Sequence, residues 1–154
     1  MAISKTRKKV PGRGKQVQHN RKLFLPMERA AANEIMLHCR LALEAIRQGR
    51  GDKASAHCLA QAVLLTGHLT HAGYGDLKVE WLDETERALL SQIGHGGATS
   101  EWHFHDSLIE DLTAVVNEYD RILSVTRLQA VVEASEWLDR VLAKKITAAS
   151  IIEG

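Results

Sequence analysis

Aromatic residues are scarce in this chain of 154 residues, at 5%, and it has only two prolines and two cysteines. With 45% hydrophobic and 25% charged residues, the shortage of proline excludes wholesale disorder and leaves an ordinary globular protein. Cys39 and Cys58 do not make the spaced set of a disulfide framework. Each follows a histidine in a helical stretch and reads as a reduced, buried thiol. No apolar run reaches the roughly 18 residues of a membrane span, and the basic start lacks the apolar core of a secretory signal. These absences predict a cytoplasmic protein without membrane contact. The length fits one domain, able to bury a core without metals or cross-links.

Acid is also missing from the first 25 residues, which hold eight bases: Lys5, Arg7, Lys8, Lys9, Arg13, Lys15, Arg21 and Lys22. The overall net charge of +1 therefore hides a division. Residues 76–120 carry eleven acids against Lys78 and Arg87, a net of −9. Like charges in a short polar segment repel, and residues 1–25 have too little apolar surface to offset the entropy of ordering. Pro11, Gly12 and Gly14 interrupt any helix there. The chain thus reads as a flexible basic arm over 1–25, a helical bundle over 26–145 and a C-terminal tail over 146–154. Lys and Arg brought near a nucleic acid release condensed counterions, giving salt-dependent, sequence-independent affinity. The eight bases are the candidate phosphate contacts. The bland alternative is a solvated tail, or one lying over the acidic helices of its own body.

Apolar spacing of three and four residues predicts five helices and no strand. Pro26 suits a first helical turn, and Met27, Ala31, Ile35, Cys39, Ala42 and Ile46 form one face ending at Gly49 and Gly51. Asp52 is the expected N-cap of a second helix to about Ala72, with Ala56, Leu59, Ala60, Val63, Leu64 and Gly67 inward. The short link makes these two an antiparallel hairpin. Asp76 is the expected cap of a third helix over 77–93, before the glycines at 94, 96 and 97 force a loop. A fourth helix from about Ser100 to Leu123 has the clearest stripe: Leu108, Leu112, Val115, Tyr119 and Ile122. Thr126 and Gln129 have capping-box spacing for a fifth helix ending near Lys145. The fold class is all-α, a compact bundle of about five helices.

Eight histidines raise the question of a metal. His68 and His71 share a helix face, whereas His103 and His105, two apart, converge only in a loop. With no His-Glu-x-x-His and no Cys-x-x-Cys, the four are candidates of low specificity, and the expectation is no metal and no cofactor. Adjacent carboxylates diverge on a helix and have no evident partner base, and the glycines at 94–97 lack the Lys-Ser/Thr ending of a P-loop and read as a hinge. No nucleophile sits in a catalytic setting, so no enzyme is expected.

A basic arm, then LALEAIRQGRG closing one helix and HLTHAGYGD closing the next, resembles small helical accessory proteins of bacterial phages and plasmids. The resemblance covers about the first half of the chain and brings no catalytic or binding residues. It implies a mobile-element accessory protein acting on nucleic acid or on a host factor. Two roles follow. One is a non-enzymatic nucleic-acid-associated regulator, its arm on phosphates and its body binding a partner or a second copy. The other is an anti-defence, anti-CRISPR-like inhibitor or adaptor, docking through Glu80, Asp83, Glu84, Asp106, Glu110 and Asp111 on a basic groove. A metal-binding protein using the histidines is a third.

Overall fold

The computed structural model describes residues 20–152, with side chains described for residues 20–145. The described residues are all-helical: α1 (20–24), α2 (Arg29–Arg47), α3 (Lys53–His71), α4 (Val79–Thr99), α5 (Asp106–Val125) and α6 (Leu128–Ile152). The expected count of about five is therefore one short. The extra turn, α1, lies inside the segment assigned to the arm, and its chain is tied to the body directly afterwards. Leu128 N–H donates to the Leu25 carbonyl at 2.8 Å, and Pro26 pairs with Arg127 in an isolated antiparallel bridge.

The first two links are built alike. Gly49 (φ +73°) and Gly73 (φ +95°) occupy left-handed backbone directly after the caps of α2 and α3. At the first end Gly49 N–H donates to the Ile46 carbonyl and Arg50 N–H to that of Ala45, and at the second Gly73 N–H donates to the Thr70 carbonyl and Tyr74 N–H to that of Leu69. This double bonding satisfies carbonyls that a helix end otherwise leaves open, and only glycine enters it without a Cβ penalty. Asp52 caps α3 as expected, its carboxylate accepting from Ser55 N–H at 2.8 Å.

α3 is the centre of the molecule, packed against α2, α4, α5 and α6. A helix with neighbours on several sides needs an apolar girth wider than one stripe. Ala56, Leu59, Ala62, Val63, Leu65, Thr66, Leu69 and Thr70 are accordingly buried, more of the circumference than the predicted stripe. α5 presents the face its spacing predicts, with Leu108, Leu112, Val115, Tyr119 and Ile122 all buried. On α2 the buried face is turned by about one residue: Ala32, Met36 and Leu43 go in and Ala31 stays out.

Several boundaries differ from expectation. α2 begins at Arg29, past Pro26, which is held by its bridge to Arg127. Asp76 does not cap α4, because its N–H donates to Glu118 and its carboxylate meets Arg121 at 3.3 Å. The glycines at 94–97 lie inside α4, which runs to Thr99, and α5 starts only at Asp106. The reason is Trp102. A Cβ on Gly96 would fall 2.4 Å from the Trp102 ring, so the glycine lets the indole lie on the helix and fold the loop back. Gln129 donates to Glu133 instead of reaching back to Thr126, and α6 passes beyond Lys145.

Candidate functional site

Of the eight predicted phosphate contacts, Lys5, Arg7, Lys8, Lys9, Arg13 and Lys15 fall outside the described residues. Arg21 and Lys22 fall inside and are exposed on α1. Lys22 borders a depression of about 490 Å³ walled by Leu25, Met27, Ala31 and Leu128. The body also has a row of arginines that patterning missed. Arg29, Arg40 and Arg47 recur at 11 and 7 residues, three and two turns, so they share one side of α2. They lie along its seam with α5. Arg29 and Arg40 reach Asp120 at 3.1 and 3.2 Å, Arg40 also reaches Asn117, and Arg47 reaches Thr113. Exposed pairs of this kind are worth about 0–1 kcal/mol each, so the row registers two helices more than it stabilises them.

The acidic candidates divide into two groups. Glu80, Asp83 and Glu84 stand in the first turns of α4, and Asp106, Glu110 and Asp111 in the first turns of α5. The chain just before α4 is bonded to the last third of α5, through Asp76 to Glu118 and Arg121 to the Tyr74 carbonyl. Gly96, near the other end of α4, meets Trp102 just before α5 begins. The two helices are therefore antiparallel, and their first turns lie at opposite ends of the hairpin. From Asp83 to Gly96 a helix rises about 20 Å. The six carboxylates are two clusters, not one surface.

Three acids of the −9 segment are paired with arginines within the fold. Asp120 serves Arg29 and Arg40, while Asp76 and Glu118 flank Arg121. Glu118 is the most enclosed of the acids. It takes both nitrogens of the Arg121 fork at 2.6 and 3.0 Å and accepts Asp76 N–H at 2.8 Å. The Arg121 hydrogen bonds, with help from that N–H, hold its carboxyl below the ordinary range. This node fastens the α3–α4 link to α5. Among the described residues Glu80, Glu84, Asp106, Glu110 and Asp111 have no cation within ion-pair distance.

The four histidines are not brought together. His103 and His105 are exposed in the loop after α4, while His68 and His71 are near the end of α3, beside the start of α4. The His71 imidazole lies 3.7 Å from the Asp83 carboxylate, and the His68 ring stacks on Trp137 with centroids 4.2 Å apart. Burial, reinforced by His71 and Arg140, keeps His68 below its usual pKa. Among the described residues no three His, Cys, Asp or Glu side chains are grouped to hold a metal ion.

His68 and His71 instead belong to a groove. α4 and α6 both lean on α3, and two depressions of about 250 and 170 Å³ lie along the seam, sharing Leu64 and Lys145. Ala60, Leu64 and Gly67 make the floor, with Leu90 and Leu142 toward one end and Asp83, Glu86 and Trp137 toward the other. A Cβ on Gly67 would meet open space, so the glycine deepens the floor. A separate pocket between α2 and α3, about 330 Å³, is walled by Cys39, Cys58, His38, Gln61 and Tyr119. No described helix is long and apolar enough to cross a membrane. No family model, curated protein or solved structure matches the chain.

Proposed function

We propose that this is a non-enzymatic accessory protein of a mobile element that associates with nucleic acid, its basic N-terminal residues contacting phosphates and its helical body binding a partner. The observation that carries this reading is the run of eight bases without an acid in residues 1–25, of which Arg21 and Lys22 are exposed on α1. Phosphate contacts of this kind need charge and reach, not a shaped pocket. The test is duplex DNA and RNA binding by the full chain, against a variant in which all eight bases are glutamine. Loss of affinity in the variant supports the reading; equal affinity removes it.

A second reading is favoured by one specific feature. Asp83, one of the three α4 candidates, lines the groove on α3 together with Glu86, so carboxylates adjoin an apolar floor. That pairing suits a protein partner with a basic, partly apolar segment, as in an inhibitor or adaptor of a nucleic-acid-binding complex. Reversing Glu80, Asp83 and Glu84 to lysine would abolish capture of such a partner while sparing DNA binding. Reversing Asp106, Glu110 and Asp111, at the far end of the hairpin, would leave capture intact.

A further inference from the structure

We propose that Cys39 and Cys58 form a thiol–disulfide exchange site, with Cys58 the attacking thiol, Cys39 the resolving thiol and a low-molecular-weight disulfide the oxidant. The two sulfurs come from different helices of the α2–α3 hairpin and wall the same pocket of about 330 Å³. Their exposures differ in the sense the roles require. Cys39 is buried at 4%, whereas Cys58 is half-buried and open to the pocket. His38 and Gln61 give the pocket a polar wall and Leu65 an apolar one, enough to seat one arm of a small disulfide.

The electrostatics agree with that division. Each cysteine side chain is the strongest electrostatic influence on the other. The adjacent Cys39 side chain, with His38 nearby, pulls Cys58 down to about 7, while the adjacent Cys58 side chain and burial push Cys39 up. The other groups facing the pair are Arg40 on α2, which favours a Cys39 thiolate, and Tyr119 on α5, which burial keeps protonated. A thiol with pKa near ambient pH is the best attacker, because it combines a large thiolate fraction with retained nucleophilicity.

The exchange balances in two displacements. The Cys58 thiolate attacks one sulfur of the oxidant, forming a mixed disulfide as the other half leaves as a thiolate with the bond's electron pair. Cys39 then gives up its proton and attacks the Cys58 sulfur, closing the Cys39–Cys58 bond and expelling the second half. Two protein thiols are oxidised by two electrons, one small disulfide is reduced, and both protons end on the released thiols. The product staples α2 to α3.

The experiment exposes the full-length protein to oxidised glutathione, quenches with an alkylating agent and reads intact mass and peptide maps. The wild type is expected to lose two hydrogens, resist alkylation at both cysteines, remain one chain on a non-reducing gel and retain no glutathione. Cys39→Ser should trap glutathione on Cys58, and Cys58→Ser should leave Cys39 at least about tenfold slower to react. Glutathione retained on wild-type Cys58, a bond formed only between chains, or faster reaction at Cys39 would each overturn the proposal. Circular dichroism checks that the variants fold. Should Cys39→Ser not fold, Cys39→Ala replaces it, and the order of alkylation of the two wild-type thiols tests the assignment independently, Cys58 being expected to react first.

Discussion

Alanine substitution of Gly94, Gly96 and Gly97 separates what helix propensity says from what the tertiary fold says. All three lie inside α4, where replacing glycine by alanine gains about 0.5–1 kcal/mol through reduced backbone entropy of the unfolded chain. At Gly94 and Gly97 an added Cβ meets nothing within 4 Å, so that gain should appear nearly undiminished. At Gly96 the Cβ would lie 2.4, 2.5 and 2.7 Å from three ring atoms of Trp102, well inside the usual carbon contact of about 3.5–4.0 Å. Relieving this means moving the indole by about 1 Å, and Trp102 is anchored two residues before the fully buried Phe104. Overpacking of this kind costs about 1–3 kcal/mol, and the propensity gain offsets part of it. Gly96→Ala should therefore lie about 2 kcal/mol below Gly97→Ala in stability, or about 4–8 °C in Tm for a chain of this size. Urea unfolding followed by far-ultraviolet circular dichroism measures the difference. In a Trp102→Ala background the Gly96 substitution should become stabilising like its neighbours. A Gly96→Ala protein as stable as Gly97→Ala would refute the packing argument.

Glu118→Gln should cost about 1–3 kcal/mol, because Arg121 and Asp76 N–H lose a charged acceptor in a nearly enclosed site. Its carboxyl has a folded pKa below the unfolded one, so its contribution is present above the unfolded value, about 4.3, and lost as pH falls through the folded value. The variant should accordingly show a flatter stability profile on the acid side of about pH 4.3, measured by denaturant midpoints across pH. Leu112→Ala, at a fully buried position facing the core from α5, should cost about 2–5 kcal/mol in the same assay. Asp120→Ala should cost less than about 1 kcal/mol despite two arginine partners, because both arginines are about half exposed.

Where one helix face decides burial, the sequence is readable. α5 shows this, since its five-residue stripe is the face that goes inward. α3 does not, because a helix touched by four others has no single face for spacing to reveal. Glycine also carries two meanings that a sequence does not separate. Gly49 and Gly73 end helices through left-handed backbone, whereas Gly96 stays helical and yields its Cβ space to an aromatic ring. The six acidic candidates read as one surface because α4 and α5 are adjacent in the chain, but their antiparallel run puts the two trios at opposite ends. The two thiols that line the α2–α3 pocket have a faint signal in the sequence. Cys39 lay on the predicted inward face of α2, and Cys58 lies within about two turns of the same link, but facing them requires the hairpin's register.

The most direct test of the proposed role is the salt dependence of duplex DNA affinity for the wild type and the variant with all eight N-terminal bases replaced by glutamine. With about five to eight phosphate contacts, log K should fall against log salt with a slope of about −5 to −7, and the variant should lose most of that slope. Parallel slopes, or no measurable binding by the wild type at low salt, would contradict the proposed role.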